Sequence, residues 1–171
     1  MSKATNSWLN TRVWLTLGLA VDIVAVDQFT KALALSQLES YTRVPVIGDL
    51  LGWYLTFNDS AAFSIGFGAT WFFTALSAVA VLVLIWFSPR MKTTTWAISA
   101  GLLLGGVAGN LVDRLTKSPG FPNGQVVDFI KIPFNFPIFN FADMCISGVM
   151  VFVVIRILLG DKIGGVSNTH E

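Results

Sequence analysis

Histidine and cysteine are almost absent from this 171-residue chain, which holds one of each, His170 and Cys145. A lone cysteine permits no intrachain disulfide and no CxxC metal clip. A lone histidine in a polar tail leaves no His-rich zinc or di-iron site. A Ser–His or Cys–His nucleophile pair would need that tail to fold back. Neither a metal nor a cofactor is expected. Charge is scarce as well: Asp, Glu, Lys and Arg make up 12% of residues, against roughly 25% in soluble chains. A net charge of +1 without a basic run gives no case for nucleic acid.

What the chain has is oil, at 54% hydrophobic residues. Apolar runs of roughly 18 or more residues read as transmembrane helices, and four fit, at about 13–29, 69–87, 96–115 and 140–159. Ala32-Leu33-Ala34 mimics a signal-peptide cleavage site. The run before it is longer than a signal core and carries Asp22 and Asp27, so it reads as an uncleaved span. The fold class is therefore an all-α integral membrane bundle of four helices, forming one domain over 1–171. Lys3, Arg12, Arg90, Lys92, Arg156 and Lys162 fall on the side of the termini, which places both termini in the cytoplasm. Trp8, Trp14, Trp86 and Trp96 mark one interface as an aromatic belt, and Trp53, Tyr54 and Trp71 the other.

The outer connections differ in character. "TRVPVIGDLLGWYLTFN" carries β-branched and aromatic runs around Gly48-Asp49, the signature of a small hairpin or sheet at the membrane surface. "TKSPGFPNGQVVDFIKIPFNFPIF" is rich in proline, which excludes a regular helix. Its Phe121, Phe129, Phe134, Phe136 and Phe139 predict a loop lying on or in lipid. In the third span Gly101, Gly105 and Gly109 form a smooth strip for close helix packing.

Five aspartates lie in or beside the spans, and a carboxylate there needs a partner or a task. Asp27 precedes Lys31, Asp113 precedes Lys117 and Asn110 precedes Arg114 at the helical i,i+4 spacing that favours pairing. These read as structural or substrate-framing groups. Asp22 is deepest, without a local partner, and is expected to pack inside the bundle. Asp128 and Asp143 remain. Asp143 falls in the first turn of span four, where the helix dipole favours negative charge. Asp128, between Val127 and Phe129, is desolvated and easier to protonate. Two carboxylates separated in this way can share one proton, one drawing a proton from water and the other giving one to a leaving group. On pattern alone, two separately satisfied interfacial acids stay open as the alternative.

"DQFTK" (Asp27–Lys31), "NDSAAFS" (Asn58–Ser64), "GNLVDR" (Gly109–Arg114), "VVDF" (Val126–Phe129) and "FNFAD" (Phe139–Asp143) resemble, in order, the signature blocks of the bacterial lipoprotein signal peptidases, the signal peptidase II family. One departure is Ser60, where a glycine is usual. The resemblance implies an intramembrane aspartic endopeptidase without cofactor. It would cleave diacylglyceryl-modified prolipoproteins on the N-terminal side of the lipidated cysteine, as a monomer in contact with membrane lipid. It implies Asp128 and Asp143 as the catalytic pair and Asn58, Asn110, Arg114 and Asn140 as substrate-binding residues. Asp27, Lys31 and Asp113 then frame the site. The implied location is the bacterial cytoplasmic (inner) membrane, with the active site on its outer face.

Three other readings follow from the residues. A transporter would also carry intramembrane Asp and Asn, but these polar groups cluster at one interface and no inverted repeat is present. A purely structural membrane protein would tolerate loss of the outer acids. A cysteine peptidase would need a base beside Cys145, and the apolar helix around it offers none.

Overall fold

The computed structural model describes residues 3–59 and 70–165, with side chains from Thr11 onward. Most of the Asn58–Ser64 block, Ser60 included, lies outside the described residues, as do His170 and the side chains of Lys3 and Trp8. Helix α1 (Lys3–Gln37) leads into strands β1 (Arg43–Ile47) and β2 (Leu51–Asn58). Then come α2 (Thr70–Phe87), α3 (Thr94–Thr116), strand β3 (Val126–Lys131) and α4 (Phe141–Leu158). All four helices are long and apolar enough to cross a membrane. The first does not stop at Phe29, as its apolar run predicts, but continues to Gln37. Its last turns are held by packing against the sheet: Ala34 is buried with Leu55, Val127 and Phe129.

Helix α3 is the central post, contacting α1, α2 and α4. Its glycine strip is the seam with α1. A Cβ placed on Gly101 would meet the Thr16 carbonyl oxygen at 2.9 Å, and one on Gly105 would meet Ile23 Cβ at 2.6 Å. Gly106 serves α4 in the same way, since its Cβ would lie 2.8 Å from the Ala142 carbonyl oxygen. On α1 the buried stripe is Thr16, Ala20, Ile23, Asp27, Lys31 and Ala34, a spacing of three to four residues. Asp22 lies off that stripe and is exposed. It is not packed inside the bundle, because the helical period turns it away from α3.

The sheet is antiparallel in the order β1-β2-β3. The hairpin turns at Gly48, where φ is +48°, a conformation glycine adopts without cost. The third strand comes from the proline-rich segment expected to be loop alone. Its alternation puts Asp128 on one face and Phe129 on the other. Phe129 is thus buried beneath the sheet, while Phe121, Phe134 and Phe136 stay exposed. Trp53 packs on Phe129 at 6.0 Å between ring centroids. Trp14, Trp86 and Trp71 are exposed as belt residues should be, but Trp96 is buried with Met91, Ala97 and Ala100. At the end opposite the sheet, the Lys92 N–H donates to the Gly164 carbonyl at 2.7 Å, returning the C-terminal segment to the start of α3.

Candidate active site

Where the sheet meets the upper ends of α1, α3 and α4, a cluster of polar side chains is buried. Asp27, Lys31, Asp113 and Asn140 are fully buried, and Asp128 is 2% exposed. Among the described residues no buried side-chain polar atom lacks a partner.

Helix α4 is started by Asn140. Its side-chain oxygen accepts from the Asp143 N–H at 3.0 Å, while Asp143 Oδ2 accepts from the Asn140 N–H at 3.0 Å. This capping box satisfies two orphan donors of the first turn and fixes the Asp143 rotamer. The other end of the Asn140 side chain donates from Nδ2 to Asp128 Oδ1 at 2.7 Å. One residue therefore touches both acids.

Asp128 is delivered by β3. In the β2–β3 register Thr56 faces Asp128 and Asn58 faces Val126. That brings Asn58 Nδ2 within 3.0 Å of Asp128 Oδ2. Burial, with the charge of Asp143 added, raises the Asp128 carboxyl from its ordinary 3.8 to about 7, against the hydrogen bonds from Asn58 and Asn140 and the charge of Lys31. Asp143 Oδ1 accepts from Asn110 Nδ2 at 2.8 Å. Both oxygens of each acid thus accept a hydrogen bond from a fixed donor.

The layer beneath is ionic. Lys31 Nζ lies 2.8 Å from Asp27 Oδ2 and 2.8 Å from Asp113 Oδ2. The Asp27–Lys31 pair at i,i+4 is present, as its spacing predicts. The Asp113–Lys117 pair is not: Asp113 turns inward to Lys31 and to the Val127 N–H at 3.1 Å. A buried cation and a buried strand N–H, both reached by one carboxylate, outweigh a solvated neighbour on the same helix. Asn110 and Arg114 do not pair through their side chains either. Arg114 Nη1 reaches only the Asn110 carbonyl, at 3.5 Å, and lies among the charges of Asp143, Asp128 and Asp113.

Asp27 also fastens α4, because Asp27 Oδ1 accepts from the Ala142 N–H at 3.1 Å. Gln28 was not singled out from the sequence, yet its Nε2 lies 3.2 Å from Asp27 Oδ2, 3.0 Å from Asp113 Oδ1 and 3.1 Å from the Gly109 carbonyl. The signal available for it was a polar residue beside Asp27 in an apolar helix. Among the described residues no group of three or more His, Cys, Asp or Glu side chains is arranged to hold a metal ion.

All nine residues picked from the sequence thus lie in one connected cluster, the acids above and the ion triad beneath. Two carboxyls joined through Asn140, one of them near neutrality, form a pair able to accept and donate protons at once.

Comparison with known proteins agrees in extent. Residues 19–159 match the family model described as signal peptidase (SPase) II. A protein of Leifsonia xyli subsp. xyli named lipoprotein signal peptidase is 44% identical over 147 residues, 86% of this chain and 68% of that one. One of the same name from Mycobacterium avium is 38% identical over 87% of this chain and 81% of its own. A solved bacterial membrane enzyme superposes with a TM-score of 0.75 at 28% identity, covering 84% of this chain and 87% of the other.

Proposed function

Since the chain belongs to the signal peptidase II family, we propose that Asp128 and Asp143 carry out its peptide hydrolysis as an aspartic pair. Membership makes it a multi-pass bacterial membrane protease that removes signal peptides from prolipoproteins. The observation that supports the aspartic reading is Asn140, which donates from its backbone to one carboxyl and from its side chain to the other.

In the proposed reaction the Asp143 carboxylate takes a proton from water as the water oxygen attacks the scissile carbonyl carbon. Protonated Asp128 gives its proton to the carbonyl oxygen, forming a gem-diol. On collapse, Asp143 passes its proton to the amide nitrogen, the C–N bond breaks, and one diol proton returns to Asp128. Atoms and charge balance, and the pair ends as it began. Asn58, Asn110, Asn140 and Arg114 hold the substrate, with Arg114 offering a cation to the developing oxyanion.

The proposed bond lies just before a diacylglyceryl-cysteine. A lipid-anchored peptide carries its scissile bond at the bilayer surface, which matches acids at the ends of spans. The exposed Phe121, Phe134 and Phe136 offer an apolar edge to the acyl chains. Each buried CH₂ contributes about 0.8 kcal/mol, so an unmodified prolipoprotein should be cleaved far more slowly than the lipidated one. Incubation of the purified protein with both substrates, read by gel mobility, tests this. Equal rates would remove lipid recognition from the proposal.

The site faces outward and both termini lie in the cytoplasm of a monomer in the inner membrane, in keeping with the charges at the ends of the helices. A reporter fused after His170 should read cytoplasmic and one inserted at Gly120 should read outside. The reverse pattern would put the acids in the wrong compartment.

A further inference from the structure

We infer that Lys31 is a positioning residue for the aspartate pair: by holding the oxygen of the Asn110 amide, it turns that amide's nitrogen onto Asp143. The inference rests on the two-aspartate reading above and adds to it the group that fixes one carboxyl's donor.

An ammonium has three N–H donors and no acceptor. Lys31 places all three. Two go to Asp27 and Asp113, and the third to Asn110 Oδ1 at 2.9 Å. The two carboxylates alone would leave one donor of this buried ammonium unpaired. The acceptor that takes it is the residue that touches Asp143.

The two ends of an amide are nearly equal in shape and opposite in chemistry, so orientation is set by partners. Lys31 can only donate, and Asn140 Nδ2 donates to the same Asn110 oxygen at 3.1 Å. Asn110 Oδ1 is therefore pinned away from Asp143, and Nδ2 must face it, at 2.8 Å. Without Lys31 that oxygen keeps one donor, Asn140 at 3.1 Å, and the amide is held less firmly. Each time it turned over, its oxygen would confront Asp143 Oδ1, two acceptors in contact, which disfavours the ionised acid that must draw a proton from water.

Among the described residues, the charged and titratable groups around the pair are Asp27 and Lys31 from α1, and Asp113 and Arg114 from α3. β3 supplies Asp128 and α4 supplies Asp143 and the Cys145 thiol, while β2 gives the neutral Asn58. Removing Lys31 alone would leave two buried carboxylates facing one another, so the variant is charge-balanced as Lys31→Met with Asp113→Asn. Asn110→Ala removes the amide itself.

The pH–rate profile for a lipidated prolipoprotein is the readout. In Lys31→Met/Asp113→Asn and in Asn110→Ala, the acid limb should move up by about one to two pH units, the worth of one charge-assisted hydrogen bond. In Lys31→Met/Asp113→Asn kcat should fall and KM change little. The triple variant should shift no further than either parent, since both changes remove one bond. Asp113→Asn alone keeps the Lys31–Asn110 bond and removes a negative charge beside the pair, so its acid limb should not move up. An unmoved limb in Asn110→Ala or in the balanced double variant overturns the inference, as does an additive shift in the triple. If the double variant does not fold, an unmoved limb in Asn110→Ala still overturns the inference. A wild-type protein that fails to cleave the substrate would instead overturn the peptidase mechanism itself.

Discussion

Asp128→Asn and Asp143→Asn should each reduce turnover of a lipidated prolipoprotein by about 10²–10⁴-fold or more, while the protein stays folded. Each change keeps the shape of the side chain, removes its ability to exchange a proton and turns one of its two acceptors into a donor. In the proposed reaction the two acids act in the same step, so the double variant should be hardly slower than either single one. The wild-type profile should show two apparent pKa values belonging to the pair, with activity declining above about pH 7 as Asp128 loses its proton. Stability gives an independent check. The Asp128 carboxyl is raised in the folded state, so folding favours its protonated form. Its ionisation therefore erodes stability as pH rises from the ordinary 3.8 towards about 7. Asp128→Asn cannot ionise, and at pH 8 it should melt no lower than wild type. An inactive variant with an intact melting curve separates chemistry from folding. Asp22→Asn, on the exposed side of α1, should keep its activity. Full turnover by folded Asp128→Asn would exclude Asp128 from the reaction.

Gly109→Ala should be the more damaging of two substitutions of like size on the α3 seam. At Gly105 an added methyl meets Ile23 Cβ at 2.6 Å and the Ala20 carbonyl oxygen at 2.9 Å. The helices must separate slightly, an overpacking cost of about 1–3 kcal/mol. At Gly109 the same methyl would lie 2.6 Å from Asp27 Oδ2, the oxygen that meets Lys31. Evicting that carboxylate breaks a fully buried ion pair, at about 3–5 kcal/mol. It also frees the Ala142 N–H at the start of α4. Thermal unfolding in detergent should rank wild type above Gly105→Ala and Gly105→Ala above Gly109→Ala. Only Gly109→Ala should lose activity out of proportion to stability. A Gly109→Ala protein as stable and active as wild type would mean that Asp27 is not held against α3.

Length and oil made the four spans legible, since a backbone crossing lipid must be helical and mostly apolar. The end of α1 was not legible, because its outer turns leave the membrane pattern and are stabilised by the sheet. Strand β3 was hidden by the prolines around it, although "VVDFIK" contains the alternation that sets Asp128 against Phe129. The candidate acids were readable because charged groups are rare in such a chain and each had to be explained, while the four proposed substrate-binding residues came from the family blocks. Their pairings were less readable. Local spacing found Asp27 with Lys31 and misassigned Asp113 to Lys117. The true partner lies on another helix, and only the fold brings the two within reach. Asp22 failed for a related reason: depth in a span is visible in a sequence, but the side of the helix that becomes interior is not.

The third strand has a consequence for biogenesis. Its partner, β2, is made before α2 and α3, while β3 emerges after both and α4 last of all. The cap that joins the two acids belongs to α4, so no shorter nascent chain contains the pair. Synthesis and insertion must reach the final span before the two carboxyls can meet. A nascent chain that ends before α4 therefore lacks one of the two acids proposed for the reaction.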